Sequence, residues 1–172
     1  RLAEHPEQSV RDRAVDLLGA ARSNRANVVE QFQDVLALEA DAGRGKQVFE
    51  EYCAKCHLSQ AERGRLGPDL SGINNKTREE LLNHILDPSF EIQSNYTNYI
   101  IVDKQGRIYD GLLASETAEA VTLRGEYENV SLRRDEIEEM RASNVSLMPE
   151  GLEEDMSKQD LADVIAYLRA GL

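Results

Sequence analysis

The sequence predicts a mainly α-helical domain over residues 41–172 that carries an inserted small antiparallel β-sheet or barrel, preceded by a helical segment over residues 1–40. Apolar residues recur at helical spacing in the first segment, from Gly45 to Tyr52, and again after Ser157. Between about residues 96 and 141 the pattern changes to short strand-like runs joined by tight turns. These changes of periodicity define the predicted architecture.

The predicted helical segment contains two patterns. Ser9, followed by Asp12 three residues later, marks a helix start, and Gly19 ends the first pattern. The second pattern covers residues 28–38. The first pattern resembles one helix of a HEAT repeat, a unit that cannot bury its apolar face without neighbours. An ordinary amphipathic pair packed on the following domain explains the same residues equally well.

The residues that carry chemistry are Cys53-Ala54-Lys55-Cys56-His57. Two cysteines three apart, with a histidine directly after the second, form the c-type haem attachment pattern. Each thiol adds across one vinyl group, so both sulfurs must reach one edge of the porphyrin, and the next residue offers an imidazole to the iron. These are the only 2 cysteines in 172 residues. We therefore predict one haem c, attached through Cys53 and Cys56, with His57 as its proximal ligand.

Three other functions of this cysteine pair are weaker alternatives. A thioredoxin-like pair opens a helix, where the helix N-terminus lowers the thiol pKa, whereas the helical pattern here precedes Cys53 and ends at the pair. A zinc site with both cysteines and a histidine needs a fourth ligand, and only His5 and His84 remain. A lone disulfide between residues three apart is rare.

Met148 is the best candidate for the second, distal ligand. It precedes Pro149 in a loop before the last predicted helix, and a thioether is a soft ligand that favours ferrous iron and raises the reduction potential. Met140 falls in the fifth predicted strand, and Met156 stands among charged residues, so both fit less well. Methionine usually only packs, but the loop context favours Met148.

Thr77, with Glu80 three residues later, forms a capping box that begins a predicted short helix over residues 77–86. We expect His84, on this helix, to face solvent or bond locally.

Five strand-like runs make up the predicted insertion at about residues 96–141, with turns around residues 103–106 and Gly125. Short strands with tight turns are typical of a small sheet or barrel of Sm or SH3 type. No stripe of aromatic and basic residues accompanies them, so nucleic-acid binding is not expected. We interpret the insertion as a cover for the haem or a docking surface for a partner.

Several separate motifs follow one another over about residues 40–172. They are Gly45-Lys46 with the haem motif, Gly67-Pro68-Asp69-Leu70, Ile85-Leu86-Asp87-Pro88-Ser89, the strand region, Ser146-Leu147-Met148-Pro149-Glu150-Gly151-Leu152 and the final helix. In this order they resemble the planctomycete-type haem-binding domain, a branch of the class I cytochromes c. In that family the domain often ends large secreted proteins, behind a β-propeller dehydrogenase-like domain and helical repeats.

The resemblance implies the class I cytochrome c fold, in which the first and last helices of the domain cross closely. Gly45 and Phe49 on the first helix and Tyr167 on the last match the residues of that crossing. The resemblance also implies that the Pro68 carbonyl accepts the Nδ1–H of His57, a bond that orients the ring and strengthens the ligand. A proline suits this place because it keeps its carbonyl and stiffens the loop.

Charge and hydropathy limit which partners and which cellular compartment are expected. The net charge is −12 and the pI about 4.7, so nucleic acid is not an expected partner. No apolar run approaches the roughly 20 residues of a membrane span, and Arg1-Leu2-Ala3-Glu4-His5-Pro6 is too polar for a signal peptide. Because haem c is attached outside the cytoplasm, we expect a mature or excised piece of a periplasmic or secreted bacterial protein.

These features predict a monohaem c-type cytochrome, an electron carrier and not an enzyme. It would transfer single electrons between redox partners or from a linked dehydrogenase domain. Six-coordinate iron leaves no open position for bond chemistry. The alternative is a peroxidase-like or gas-binding haem protein with an open distal site. A third hypothesis is a docking module in which the β insertion binds the partner.

An acidic stretch lies between residues 135 and 155. It is either a solvated face that keeps the protein soluble or a docking surface for a basic patch on a redox partner. The stretch contains one base, Arg141, and eight acids, which give a local net charge of −7. The acids are Asp135, Glu136, Glu138, Glu139, Glu150, Glu153, Glu154 and Asp155.

Overall fold

The computed structural model describes residues 25–58 and 66–172, which form two compact units. The helix predicted between Ser9 and Gly19 lies outside the described residues. His5 lies outside them as well. The helical unit comprises residues 25–58, 67–91 and 148–172, and the sheet unit comprises Leu66 and residues 92–147.

The helical unit contains six α-helices and two 3₁₀ helices within the described residues. They are α1 (Ala26–Gln31), a 3₁₀ helix (Gln33–Ala37), α2 (Ala42–Tyr52), α3 (Ala54–His57), a 3₁₀ helix (Ile73–Asn75), α4 (Arg78–Leu86), α5 (Leu152–Asp155) and α6 (Lys158–Ala170). The helical pattern predicted over residues 28–38 is thus a short α-helix followed by a 3₁₀ turn.

Polar side chains begin the three longest helices. The Asp41 carboxylate accepts the Arg44 amide at the start of α2. Thr77 begins α4 and Ser157 begins α6, each within a capping box that satisfies two backbone N–H groups. The starts predicted at Thr77 and Ser157 are therefore confirmed, and such caps each stabilise a helix by about 1 kcal/mol.

The most extensive contact between helices is the crossing of α2 and α6. A Cβ atom at Gly45 would lie 1.9 Å from the Asp163 carbonyl oxygen, so only glycine allows the two backbones this close. One turn further along α2, the rings of Phe49 and Tyr167 meet with centroids 5.4 Å apart at an interplanar angle of 55°. This tilted geometry is favourable for aromatic pairs. The crossing predicted from Gly45, Phe49 and Tyr167 is confirmed.

A buried carboxylate reinforces the crossing from the α6 side. The Asp163 side chain is 1% exposed and accepts from the Asp41 amide at 2.7 Å and from Arg44 Nε at 2.6 Å. Gln159 donates to it as well. Burial by itself would raise the pKa of Asp163, but the hydrogen bonds from Arg44, the Asp41 amide and Gln159 outweigh it and lower the pKa. The charge therefore persists at neutral pH and ties both helix starts together.

The segment before α2 packs into the same core as the crossing. Val35 is fully buried there, and Val29, Phe32, Leu36 and Leu38 are half-buried against the core. Lys158 at the start of α6 reaches back to this segment, with Nζ 2.7 Å from Asp34 Oδ1. The remaining buried core side chains of the unit are Val48, Phe49, Leu70, Leu81, Leu82, Leu86, Met156, Leu161, Ala162, Val164, Ile165 and Leu168.

The sheet unit is a five-stranded antiparallel sheet in the order β4-β3-β2-β1-β5. All five predicted strands are present, and β1 starts two residues later than predicted because Ser94–Tyr96 forms a 3₁₀ turn. An Sm or SH3 type for this sheet stays a prediction. The strands are β1 (Asn98–Asp103), β2 (Ile108–Glu116), β3 (Ala120–Arg124), β4 (Asn129–Arg133) and β5 (Ile137–Ala142).

A buried aspartate shapes the turn between β1 and β2. The Asp103 carboxylate accepts the Gln105 and Arg107 amides, each at 2.9 Å, and the Arg107 side chain. Gly106 closes the turn at a φ of +79°, which favours glycine. The turn predicted at residues 103–106 is confirmed. Within the described residues, no helix combines the length and apolar character needed to cross a membrane.

Gly45→Ala should lower the free energy of unfolding by about 1–3 kcal/mol, because the added methyl group overlaps backbone atoms of α6. Urea denaturation of the haem-loaded protein measures this. Gly72→Ala is the control, since its methyl group would meet nothing within 4 Å. The control should change stability by less than about 0.5 kcal/mol. Equal losses in both variants would show that the crossing does not require glycine.

Candidate haem site

The crossing places the haem motif at the end of α2. Cys53 directly follows Tyr52, the last residue of α2, and its amide donates to the Phe49 carbonyl at 2.9 Å. The chain then enters the short helix α3, where the Cys56 and His57 amides both donate to the Cys53 carbonyl. Cys53 and Cys56 are thus one helical turn apart, a spacing that puts two side chains on the same side of a helix.

The environment of Cys53 does not favour disulfide exchange. Cys53 and Cys56 are both thiols outside any disulfide and are half-buried. Burial, with a smaller contribution from neighbouring Cys56, raises the pKa of the Cys53 thiol to about 11, whereas reactive thiol pairs depend on a lowered pKa. The thioredoxin-like alternative is therefore disfavoured. In the part of the chain that the structure describes, no group of three or more His, Cys, Asp or Glu side chains is arranged to hold a metal ion.

The imidazole of His57 is held by the loop that follows the motif. His57 Nδ1 lies 2.9 Å from the Pro68 carbonyl oxygen. Since a carbonyl oxygen only accepts hydrogen bonds, Nδ1 carries the proton and Nε2 is the nitrogen that can coordinate iron. The Gly67 amide donates to the Cys56 carbonyl at 3.0 Å, so the backbone on both sides of this contact is fixed.

Gly67 belongs to the motif Gly67-Pro68-Asp69-Leu70, but the sequence pattern indicated no role for it in the site. A Cβ atom here would lie 2.6 Å from His57 Cε1 and 2.7 Å from Nδ1. The backbone of residue 67 therefore lies against the imidazole ring, and any side chain would displace the ring or the loop. Gly67 is not in the positive-φ region, so its role is close approach. The only available signal was its place immediately before Pro68.

The three methionines lie in different environments. Met148 is half-buried in the loop before α5 and belongs to the same helical unit as His57. Met140 is in β5 and packs against the core of the sheet. Met156 is 4% exposed within the helical core. Met140 and Met156 thus have packing roles, which leaves Met148 as the candidate ligand and its distal role as a prediction.

The histidine on α4 has a local partner. His84 Nε2 lies 3.8 Å from a Glu91 carboxylate oxygen, and the His84 side chain is 30% exposed. Its expected position, near solvent with a local partner, agrees with this environment.

The acidic stretch is divided between the two units. Arg133 and Arg141 lie within 4.0 Å of acids in the sheet unit: Asp135, Glu136 and Glu139. In the helical unit, Arg25 pairs with Glu150 and Glu153. Five of the eight acids thus have a basic neighbour, while Glu154 and Asp155 are exposed. The stretch carries less uncompensated charge than its sequence suggested.

These residues fit a covalently attached haem. Two reduced thiols stand one helical turn apart, and an adjacent imidazole has its Nδ1–H directed at a backbone carbonyl. Together with the α2–α6 crossing, they are the features expected of a cytochrome c domain.

The comparisons with known proteins agree. Residues 40–92 match the family model described as cytochrome c oxidase, cbb3-type, subunit III. A cytochrome c-553-like protein of Synechocystis sp. is 35% identical over 68 residues, which is 40% of this chain and 64% of that relative. The chain therefore spans less than two thirds of this relative. Both similarities are to c-type cytochromes. With the spacing of Cys53 and Cys56, they give covalently bound haem c as the cofactor.

Gly67→Ala should lower the free energy of unfolding of the haem-loaded protein by about 1–3 kcal/mol, because its methyl group overlaps the His57 ring. Urea denaturation followed at the haem absorbance measures the loss. Gly72→Ala, four residues after Pro68, is the control because its methyl group would meet nothing within 4 Å. It should change stability by less than about 0.5 kcal/mol. A Gly67→Ala protein as stable as the control would contradict the close contact.

Proposed function

We propose that the chain is a monohaem c-type cytochrome that transfers single electrons between redox partners or from a linked dehydrogenase domain. The observation that carries this proposal is the 2.9 Å contact between His57 Nδ1 and the Pro68 carbonyl, directly beside the two haem-binding cysteines. A histidine oriented in this way has the tautomer that a metal ligand requires. The presence of only 2 cysteines supports a single haem.

Each site residue has a distinct task in this proposal. Haem iron, when bound, takes up and releases one electron. Cys53 and Cys56 tether the group covalently, and His57 supplies the proximal nitrogen. The Pro68 carbonyl holds the ring orientation and strengthens the ligand, while Gly67 lets the loop approach closely enough to do so. Half-burial of the cysteines and of His57 keeps the site partly shielded from water.

Met148 is the proposed distal ligand, and this assignment separates an electron carrier from an enzyme. A second axial ligand fills the coordination sphere and excludes substrates, and a thioether raises the reduction potential. Its place in a loop of the helical unit and the packing roles of Met140 and Met156 support the assignment. A protein without this ligand would have the open position of a peroxidase-like or gas-binding protein.

Met148→Ala should abolish the weak near-infrared sulfur-to-iron band of the ferric protein, open the sixth position to cyanide and lower the reduction potential. Absorbance spectra and a redox titration measure these changes. Met140→Leu and Met156→Leu are the controls. Leucine keeps the volume of these packed side chains, whereas alanine at buried Met156 would cost about 2–5 kcal/mol.

Both controls should keep the band. A high-spin spectrum and rapid peroxide binding in the unchanged protein would contradict Met148 ligation and favour the peroxidase-like alternative. A low-spin spectrum without the sulfur band would indicate a second nitrogen ligand, with His84 the first candidate and His5 the second.

The proposal extends to the family branch and the compartment. The motif order around the haem site supports a planctomycete-type haem-binding domain, with the five-stranded sheet as an Sm- or SH3-like insertion at about residues 96–141. Class I cytochromes c work outside the cytoplasm, which supports a periplasmic or secreted location. The insertion would then cover the haem or contact the partner.

The proposed partner is a redox protein, or a linked dehydrogenase domain, with a basic docking patch. Glu154 and Asp155 are exposed acids in the helical unit that also holds the haem motif. Opposite charges steer two proteins together, and salt screens them over about 8 Å at physiological ionic strength. The net charge of −12 supports attraction to a basic surface.

The rate of electron transfer to a small basic redox protein should fall at least about tenfold between roughly 0.01 and 0.15 M salt. Stopped-flow mixing measures this rate. Glu154→Gln with Asp155→Asn should weaken the salt dependence. Glu126→Gln with Glu128→Gln, an equal change of charge on exposed residues of the sheet unit, should leave it nearly unchanged. A rate indifferent to salt would favour a merely solvated face or transfer within one larger chain.

A further inference from the structure

Arg25, directly before α1, connects the start of that helix to two other parts of the helical unit. Its Nε donates to the Leu86 carbonyl at the end of α4. Its Nη2 pairs with a carboxylate oxygen of Glu153 in α5, and its Nη1 lies 3.8 Å from Glu150 Oε2. One guanidinium group thus contacts three acceptors on two separate stretches of chain, which its planar fork of five N–H donors allows.

The Arg25–Glu153 pair is largely shielded from water, whereas the Glu150 side chain is 27% exposed. The side chain of Arg25 is 12% exposed and that of Glu153 is 9% exposed. A carboxylate at this depth is costly unless a cation and hydrogen bonds compensate it. Buried Ser89 donates to Glu150 at 3.2 Å and so holds the same loop from a second direction. Loss of Arg25 would leave both carboxylates short of their cation and release the loop at two points.

The loop held in this way is the one that carries Met148. Glu150 follows Met148 by two residues, and Glu153 is the second residue of α5, the helix that follows the loop. Between them Gly151 turns the backbone at a φ of +88°. A methionine side chain has three rotatable bonds, so its sulfur is held at one place only if the backbone beneath it is fixed.

We propose that Arg25 is a positioning residue for the distal ligand: by anchoring Glu150 and Glu153 it fixes the Met148 loop and so holds the Met148 sulfur in place. This inference rests on the proposed function, in which Met148 is the distal ligand. By this inference, the segment before α2 contributes to the haem site. Arg25 itself precedes residues 40–92, which match the cytochrome family model.

The test compares Arg25→Gln and Arg25→Lys in the haem-loaded full chain. Arg25→Lys keeps the charge, so it protects the fold if Arg25→Gln unfolds, but lysine cannot form the three-way contact. Lys158→Gln is the matched control, because Lys158 also joins this segment to the unit, through Asp34 at 2.7 Å. The readouts are cyanide binding by the ferric protein, the sulfur-to-iron band, and amide hydrogen exchange of residues 148–155.

Both Arg25 variants should bind cyanide at least about tenfold faster and exchange these amides at least about tenfold faster, with a weaker sulfur band. Lys158→Gln should change each rate less than about twofold. If the unchanged protein has the sulfur band but the Arg25 variants exchange and bind cyanide like the control, the positioning role is overturned and the proposed function stands. Absence of the band from the unchanged protein would overturn the distal role of Met148 and this inference with it.

Discussion

The close crossing of α2 and α6 at Gly45 is the contact on which the rest of the helical unit depends. It brings two backbones together over a position where even a methyl group would overlap the Asp163 carbonyl. Phe49 meets Tyr167 in a tilted ring contact one turn later, and Asp163 binds the start of α2 through Arg44 and the Asp41 amide. Because Cys53 ends the same helix, the crossing also determines where the haem motif begins.

The haem site itself is built by backbone as much as by side chains. The Cys53 carbonyl accepts both following site amides, the Pro68 carbonyl faces His57 Nδ1, and Gly67 lies against the imidazole. Backbone groups of a short turn and a proline loop move less than long side chains, so they hold a ligand in one orientation. Burial raises the pKa of the half-buried Cys53 thiol, whereas disulfide exchange depends on a lowered thiol pKa.

The segment before α2 is part of the helical unit in physical terms. Val35 is fully buried in the common core, and Lys158 binds Asp34. Arg25 contacts the end of α4 and pairs with Glu150 and Glu153, which follow Met148. Ion pairs of this kind stabilise little when exposed, but here the guanidinium and Glu153 are largely buried. The segment therefore influences the region of the proposed distal ligand, although it stands outside the residues that match the cytochrome family model.

The sequence alone determined the features that depend on local spacing. These were the haem motif, the capping boxes at Thr77 and Ser157, the turn at residues 103–106 and five strands of alternating pattern, because each follows from neighbouring residues. The approach of Gly67 to His57 and the reach of Arg25 to Glu150 and Glu153 were decided only by the tertiary structure. These contacts join residues that are distant in the chain, or depend on how closely two backbones pack, and no periodicity encodes such distances.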